Sequence, residues 1–205
     1  MKKISNRHTT EYRRVVHDVA NGLQGRRLFF FFGAGVSRGE PSNLPLSDNL
    51  KHPLIDCMLS AIDRVGLAHL VQIEDLRKSL YAQPLERILD ALVRAWRDSA
   101  LEYLTVLRSD RWNVNHGAIA ILARKGLLPY VVTLNFDSLI ETALNKFKVP
   151  FVLKLPLSSY AGSIGKGPPL LTLVKPHGSL PITEDEAIGK HLAATLRYTG
   201  MNVQP

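Results

Sequence analysis

The sequence predicts an α/β fold: a Rossmann-like parallel sheet with helices on both faces and a helical insert. Three observations predict it. Short continuous apolar runs recur at Leu28–Phe32, Pro129–Leu134, Phe151–Leu155 and Leu170–Lys175, the pattern of strands buried on both faces. Stretches of helical periodicity lie between them, and strands alternating with helices imply a mostly parallel sheet. Three of the runs end in polar motifs, at the carboxyl ends where such sheets bind ligands.

The chain has 205 residues, 45% hydrophobic and 21% charged, enough for one large domain or a domain with a small insert. Its strongest apolar run, Leu28–Phe32, is far too short to span a bilayer. Met1-Lys2-Lys3-Ile4 leads into polar residues rather than a signal peptide, so the expected location is the cytoplasm, away from membranes. Cys57 is the only cysteine, which leaves no internal disulfide and no four-cysteine zinc site. The net charge is +8, and residues 1–27 hold seven basic residues against two acidic ones. That basic segment reads as a solvated helix face, with contact to nucleic acid or an acidic partner as the alternative. No aromatic residues interleave the charges as a single-strand stacking platform needs.

Taken in order, Thr9–Leu23 places Tyr12, Val15, Val16, Val19, Ala20 and Leu23 on one helical face. Residues 1–27 thus form a basic N-terminal helix ahead of a domain over residues 28–205. The first strand, Leu28–Phe32, runs into the turn Gly33-Ala34-Gly35-Val36-Ser37. Arg38–Asn49 is a loop by its glycine, prolines, serines and asparagines, placed to cover a ligand. An insert over about residues 50–107 reads as three helices, Leu54–Val65, Leu67–Leu80 and Leu85–Leu107. Ala118, Ile119, Ile121, Leu122 and Leu127 mark a helix that ends near Gly126, and the second strand closes on Asn135-Phe136-Asp137. Ser138–Phe147 is helical, Phe151–Leu155 the third strand and Ser158–Pro169 a loop. Leu170–Lys175, the fourth strand, stops at Pro176-His177-Gly178-Ser179, and Glu184–Leu196 is a weak helix.

Glycine at 33 and 35 lets a ligand approach the backbone, and the free N–H groups beyond such a turn can cradle a pyrophosphate. The motif alone reads equally as a tight turn. Arg38 stands where the dinucleotide fingerprint needs glycine, and no P-loop pattern occurs. Asn135 and Asp137 read either as polar groups of a crevice or as caps of the following helix. His177 reads either as a functional imidazole or as a structural histidine. His8, His17, His52, His69, His116 and His191 belong to no motif.

The three motifs in order, G-A-G-x-S, T-x-N-x-D and H-G, resemble the sirtuin-like family, and so does the lead-in His116–Leu134, HGAIAILARKGLLPYVVTL. The resemblance spans about Phe29 to Leu180. It implies NAD bound in the crevice, with the backbone of Gly33, Ala34 and Gly35 and the Ser37 hydroxyl facing the phosphates. Thr133 opens the second motif and is placed with the cofactor-binding residues. Asn135 would lie near the nicotinamide ribose, Asp137 would hold the nicotinamide carboxamide, and His177 would be the general base. An amide that orients the acceptor and an imidazole that takes a proton near neutral pH suit cleavage of the nicotinamide–ribose bond.

Departures from the family narrow the expectation. No zinc cysteines follow the H-G motif, Leu134 and Phe136 replace the Gln and Ile of the deacylase form, and no Phe-Arg pair follows the glycines. Leu44-Pro45-Leu46 resembles instead the loop of zinc-free bacterial members, mostly NAD-degrading effectors of anti-phage defence such as Thoeris-type and Argonaute-associated proteins. The resemblance therefore implies an NAD glycohydrolase without zinc, releasing nicotinamide and ADP-ribose, with a homo-oligomer or a defence-system protein as partner. A protein deacylase and a non-catalytic NAD-sensing or partner-binding module are the alternatives. The family's further strand for the adenosine half is not found before Pro205, so a shortened C-terminal part and weak activity of this chain by itself are expected.

Overall fold

The computed structural model describes residues 14, 16–22, 30–66, 72–155, 171–181 and 192. The fold is α/β, with a four-stranded sheet, all parallel, in the order β1-β2-β4-β3. The strands are β1 (Phe30–Phe32), β2 (Tyr130–Thr133), β3 (Phe151–Lys154) and β4 (Leu171–Val174). Register aligns Phe30 with Val131 and Val131 with Leu173. Side chains alternate across the sheet, so Val131, Leu171 and Leu173 point together into a core and are fully buried.

Two helices cover that face. α4 (Val114–Arg124) leads into β2 and α5 (Leu139–Lys146) leaves it. Ile119 and Ala120 of α4 and Ile140, Ala143 and Leu144 of α5 pack with the three strand residues. The opposite face is more open: Phe31 is 59% exposed, and Tyr130 and Val152 are also exposed. The expectation that β1 is buried on both faces is therefore corrected. β1 is an edge strand of the sheet, paired to β2 alone among the described residues, and Phe31 lies on the more exposed face.

Between β1 and β2 lie α1 (Ser47–Arg64), α2 (Ile73–Tyr81), α3 (Leu85–Trp96) and a 3₁₀ segment, Arg97–Leu107. Leu85, Leu89 and Val93 of α3 join Leu101 and Leu104 in a second core, which closes over Phe136 and Leu139 at the end of β2. The insert thus sits over the carboxyl end of the sheet. Trp112 packs against both cores and meets Phe147 edge-on, with ring centroids 5.6 Å apart.

Several boundaries differ from the sequence reading. The loop expected over Arg38–Asn49 ends earlier, at Leu46, because α1 begins at Ser47. The helix expected over Leu85–Leu107 breaks after Trp96, where Arg97 has φ 55°. The break folds Leu101 and Leu104 back onto α3. The expected basic helix is helical over residues 16–22; its other residues, apart from Arg14, lie outside the described set. So do residues 67–71, the Ser158–Pro169 loop and, except for Leu192, the Glu184–Leu196 helix.

Candidate functional site

The site is built from three loops at neighbouring carboxyl ends: the glycine turn after β1, the Asn-Phe-Asp loop after β2 and the His-Gly loop after β4. The glycine turn is held from behind by the start of α4. The Asn113 side chain caps that helix, accepting from the N–H groups of Asn115 and His116, while the His116 ring accepts the Asn113 N–H in return. This reciprocal pair satisfies donors the helix itself cannot. Asn113 Nδ2 then donates to the carbonyls of Val36 at 2.9 Å and Gly39 at 3.1 Å, pinning the turn.

That arrangement fixes the protonation of His116. Its Nδ1 accepts from a backbone N–H, so in the neutral ring Nε2 carries the hydrogen. Burial holds the imidazole below the ordinary histidine range, against an opposite pull from the Asp137 and Glu141 carboxylates. Nε2–H therefore donates to Ser37 Oγ at 3.2 Å, and the Ser37 hydroxyl donates to Asp137 Oδ2 at 2.9 Å. Asn135 Nδ2 donates to Ser37 Oγ at 3.3 Å and to Asp137 Oδ2 at 3.1 Å. With one donation and two acceptances the Ser37 oxygen is saturated, and the residue is 1% exposed. The hydroxyl expected beside the phosphates is engaged within the protein. The trio Ser37, His116 and Asp137 is also no acyl-transfer triad, because His116 donates to the serine and has no lone pair to take its proton.

Asp137 does two jobs. Oδ1 accepts the Leu139 N–H at 3.1 Å, which caps α5, while Oδ2 receives Ser37 and Asn135. Thr133 is buried, and its Oγ1 accepts the Asn135 N–H at 3.1 Å, setting the bend that sends the asparagine toward Ser37. The nitrogen of the Asn135 amide is identified by its carboxylate partner, which only accepts. Asn135 Oδ1 makes no hydrogen bond among the described residues and is an acceptor available to a ligand.

Gly33 and Gly35 stand where a Cβ would meet no heavy atom within 4 Å. Gly33 is extended, with φ −111°, a conformation open to other residues. Neither the backbone conformation at Gly33 nor packing explains the small residue there. What it leaves is space beside the backbone of Ala34 and Gly35.

Phe136, between Asn135 and Asp137, turns the other way into the core of the insert. His177 lies on that side. Its ring is 6.1 Å from the Phe136 ring, and Nδ1, buried and without a hydrogen bond among the described residues, is 3.5 Å from Glu86 Oε1 of α3. Gly178 has φ 87°, which favours glycine and turns the chain back, its N–H on the Lys175 carbonyl. Leu180 N–H bonds the Phe136 carbonyl at 2.7 Å, tying the two loops together. Ser37, Thr133, Asn135 and Asp137 therefore form one cluster, and His177 stands beside it, across Phe136.

Two residues of this architecture, Lys175 and Glu141, carried no signal in the motif reading. Lys175 is fully buried; its ammonium donates to the Asp137 carbonyl, to Glu141 Oε1 at 2.9 Å and to Ser179 Oγ at 2.7 Å. Glu141 Oε1 also accepts from Ser179 at 2.9 Å, while Oε2 has no partner among the described residues. His116, assigned to no motif, does have a readable signal: it stands at capping-box spacing from Asn113. Among the described residues no group of His, Cys, Asp and Glu is placed to hold a metal ion, and no helix is long and apolar enough to cross a membrane. No protein-family model matches the chain, and no curated protein matches it at a significant level.

Proposed function

We propose that the chain binds NAD over the glycine turn and cleaves its nicotinamide–ribose bond, as a zinc-free sirtuin-like glycohydrolase domain. The observation that carries this reading is the meeting of Ser37 with Asn135 and Asp137. Two motifs about a hundred residues apart in sequence join at adjacent parallel strand ends, beside glycines where a Cβ would meet no heavy atom within 4 Å.

The roles follow from the groups available. The backbone of Gly33, Ala34 and Gly35 lies against the pyrophosphate. Asp137 and Asn135, fixed by Ser37, face the nicotinamide half, with Asn135 Oδ1 accepting from the ribose or from water. As the bond breaks, its electron pair leaves with the nicotinamide nitrogen and the ribose carbon becomes electron-poor. Water adds to that carbon, and its proton passes to His177. Nicotinamide and ADP-ribose are the products. The Leu44-Pro45-Leu46 loop and the single cysteine, Cys57, support assignment to the zinc-free bacterial branch associated with anti-phage defence.

The test is product analysis after incubation with NAD, with Asn135→Ala and His177→Ala alongside. A positioned base or orienting group contributes about 10²- to 10⁴-fold, so each variant should lose kcat on that scale with NAD affinity nearly kept. Gly33→Val should do the reverse and weaken binding while the fold stands. O-acetyl-ADP-ribose formed from an acetylated peptide would replace this reading with deacylation. NAD binding by calorimetry without product would leave a sensing module.

A further inference from the structure

We propose that Glu86, from the helical insert, is the positioning residue of His177: its carboxylate accepts the Nδ1–H and leaves Nε2 as the basic nitrogen. This rests on the NAD-cleavage reading for its role in turnover, though not for its geometry. Nδ1 is shut off from solvent and has no hydrogen bond among the described residues, a costly state for a ring nitrogen that could donate. Glu86 Oε1 is the one acidic oxygen recorded within ion-pair reach of it among the described residues, at 3.5 Å. That separation is longer than a good hydrogen bond. Glu86 is partly exposed, in the first turn of α3, with rotamer freedom to close the gap; contacts of this kind tighten when the reacting complex forms.

The Phe136 ring is the imidazole's aromatic neighbour, its centroid 6.1 Å away. Its packing in the insert core with Leu85 and Leu89 fixes it relative to α3. Glu86 directly follows Leu85, so one buried turn of helix sets both neighbours of the imidazole. A histidine with a carboxylate on one nitrogen is held in one tautomer, which leaves the lone pair on the other. In turnover, Nε2 takes the proton released by water as the O–C bond to the ribose forms, and the carboxylate stabilises the resulting imidazolium.

The test is nitrogen-15 NMR of the histidine rings in the whole chain, with His177 assigned by its loss in His177→Gln. At a pH where the ring is neutral, the proton should sit on Nδ1. In Glu86→Ala it should move to Nε2, and in Glu86→Gln, whose amide oxygen still accepts, it should stay. With NAD as substrate, Glu86→Ala should lower kcat by about 10- to 100-fold, the scale of lost outer partners, with KM little changed. Glu86→Gln should restore part of that rate. A proton on Nε2 in the unaltered protein, or a tautomer indifferent to Glu86→Ala in a folded variant, overturns the pairing. A tautomer that responds in a protein that leaves NAD intact upholds the pairing and removes the NAD reading instead.

Discussion

The Lys175 ammonium holds three acceptors in a space closed to water: a backbone carbonyl, a carboxylate and a hydroxyl. Removing one partner of a buried pair leaves an uncompensated charge, at a cost of about 3–5 kcal/mol. Lys175→Met should lower the urea-unfolding free energy by that amount, and adding Glu141→Leu should recover much of it. The same chemistry gives His116 a pH signature. Its pKa is depressed in the fold, so as pH falls below the unfolded value of about 6.5 the unfolded chain takes up a proton first. Stability should therefore fall with acidification from that point, and Tm against pH should be flatter in that range for His116→Gln. Neither residue stood out in the sequence as part of the site. Lys175 reads only as the end of a strand, and its partners come from the loop after β2, from α5 and from its own His-Gly loop. Asn135 and Asp137 were legible as polar groups at a strand end; that one carboxylate both caps α5 and anchors Ser37 needed the third dimension.

At the scale of elements, Asn113 is the part on which the glycine turn depends. Its replacement by alanine removes the cap of α4 and two bonds to the turn. A lost cap costs about 0.5–2 kcal/mol, so Asn113→Ala should destabilise by at least about 1 kcal/mol in denaturant titration. It should also weaken NAD binding more than an equally destabilising change in α1, because the turn is released. Strand positions were readable because their apolar runs are short and bounded by glycine, proline or asparagine. The break after Trp96 was not. From Leu85 to Leu107 the apolar spacing continues without glycine or proline. An unbroken helix of that length would run about 35 Å, past the core that Leu101 and Leu104 must join. The chain turns instead at Arg97, whose φ of 55° and ψ of −146° is a region glycine tolerates best. Arg97→Gly should raise Tm, with a gain of about 1 kcal/mol, since the strain exceeds the added freedom of the unfolded chain.

At the scale of the whole molecule, the described residues cover the sheet unevenly. Leu173 points into the core under α4 and α5, while Phe31 points to the open side. Leu173→Ala should cost about 2–5 kcal/mol, and Phe31→Ser within about 1 kcal/mol, both read from urea midpoints at a constant slope. The fold class was legible because it depends on alternation of strand and helix; the uneven cover of the two faces was not, because short strands look alike whichever side is packed. The joining of Ser37 to Asp137 has a consequence for the protein's synthesis. The two residues are 100 positions apart, with the whole insert between them. A chain growing from its amino end carries the glycine turn early, yet has nothing to set Ser37 against until the second motif has emerged. A half-made copy therefore lacks the cluster, which assembles only once the insert has been made and the first two strands have paired.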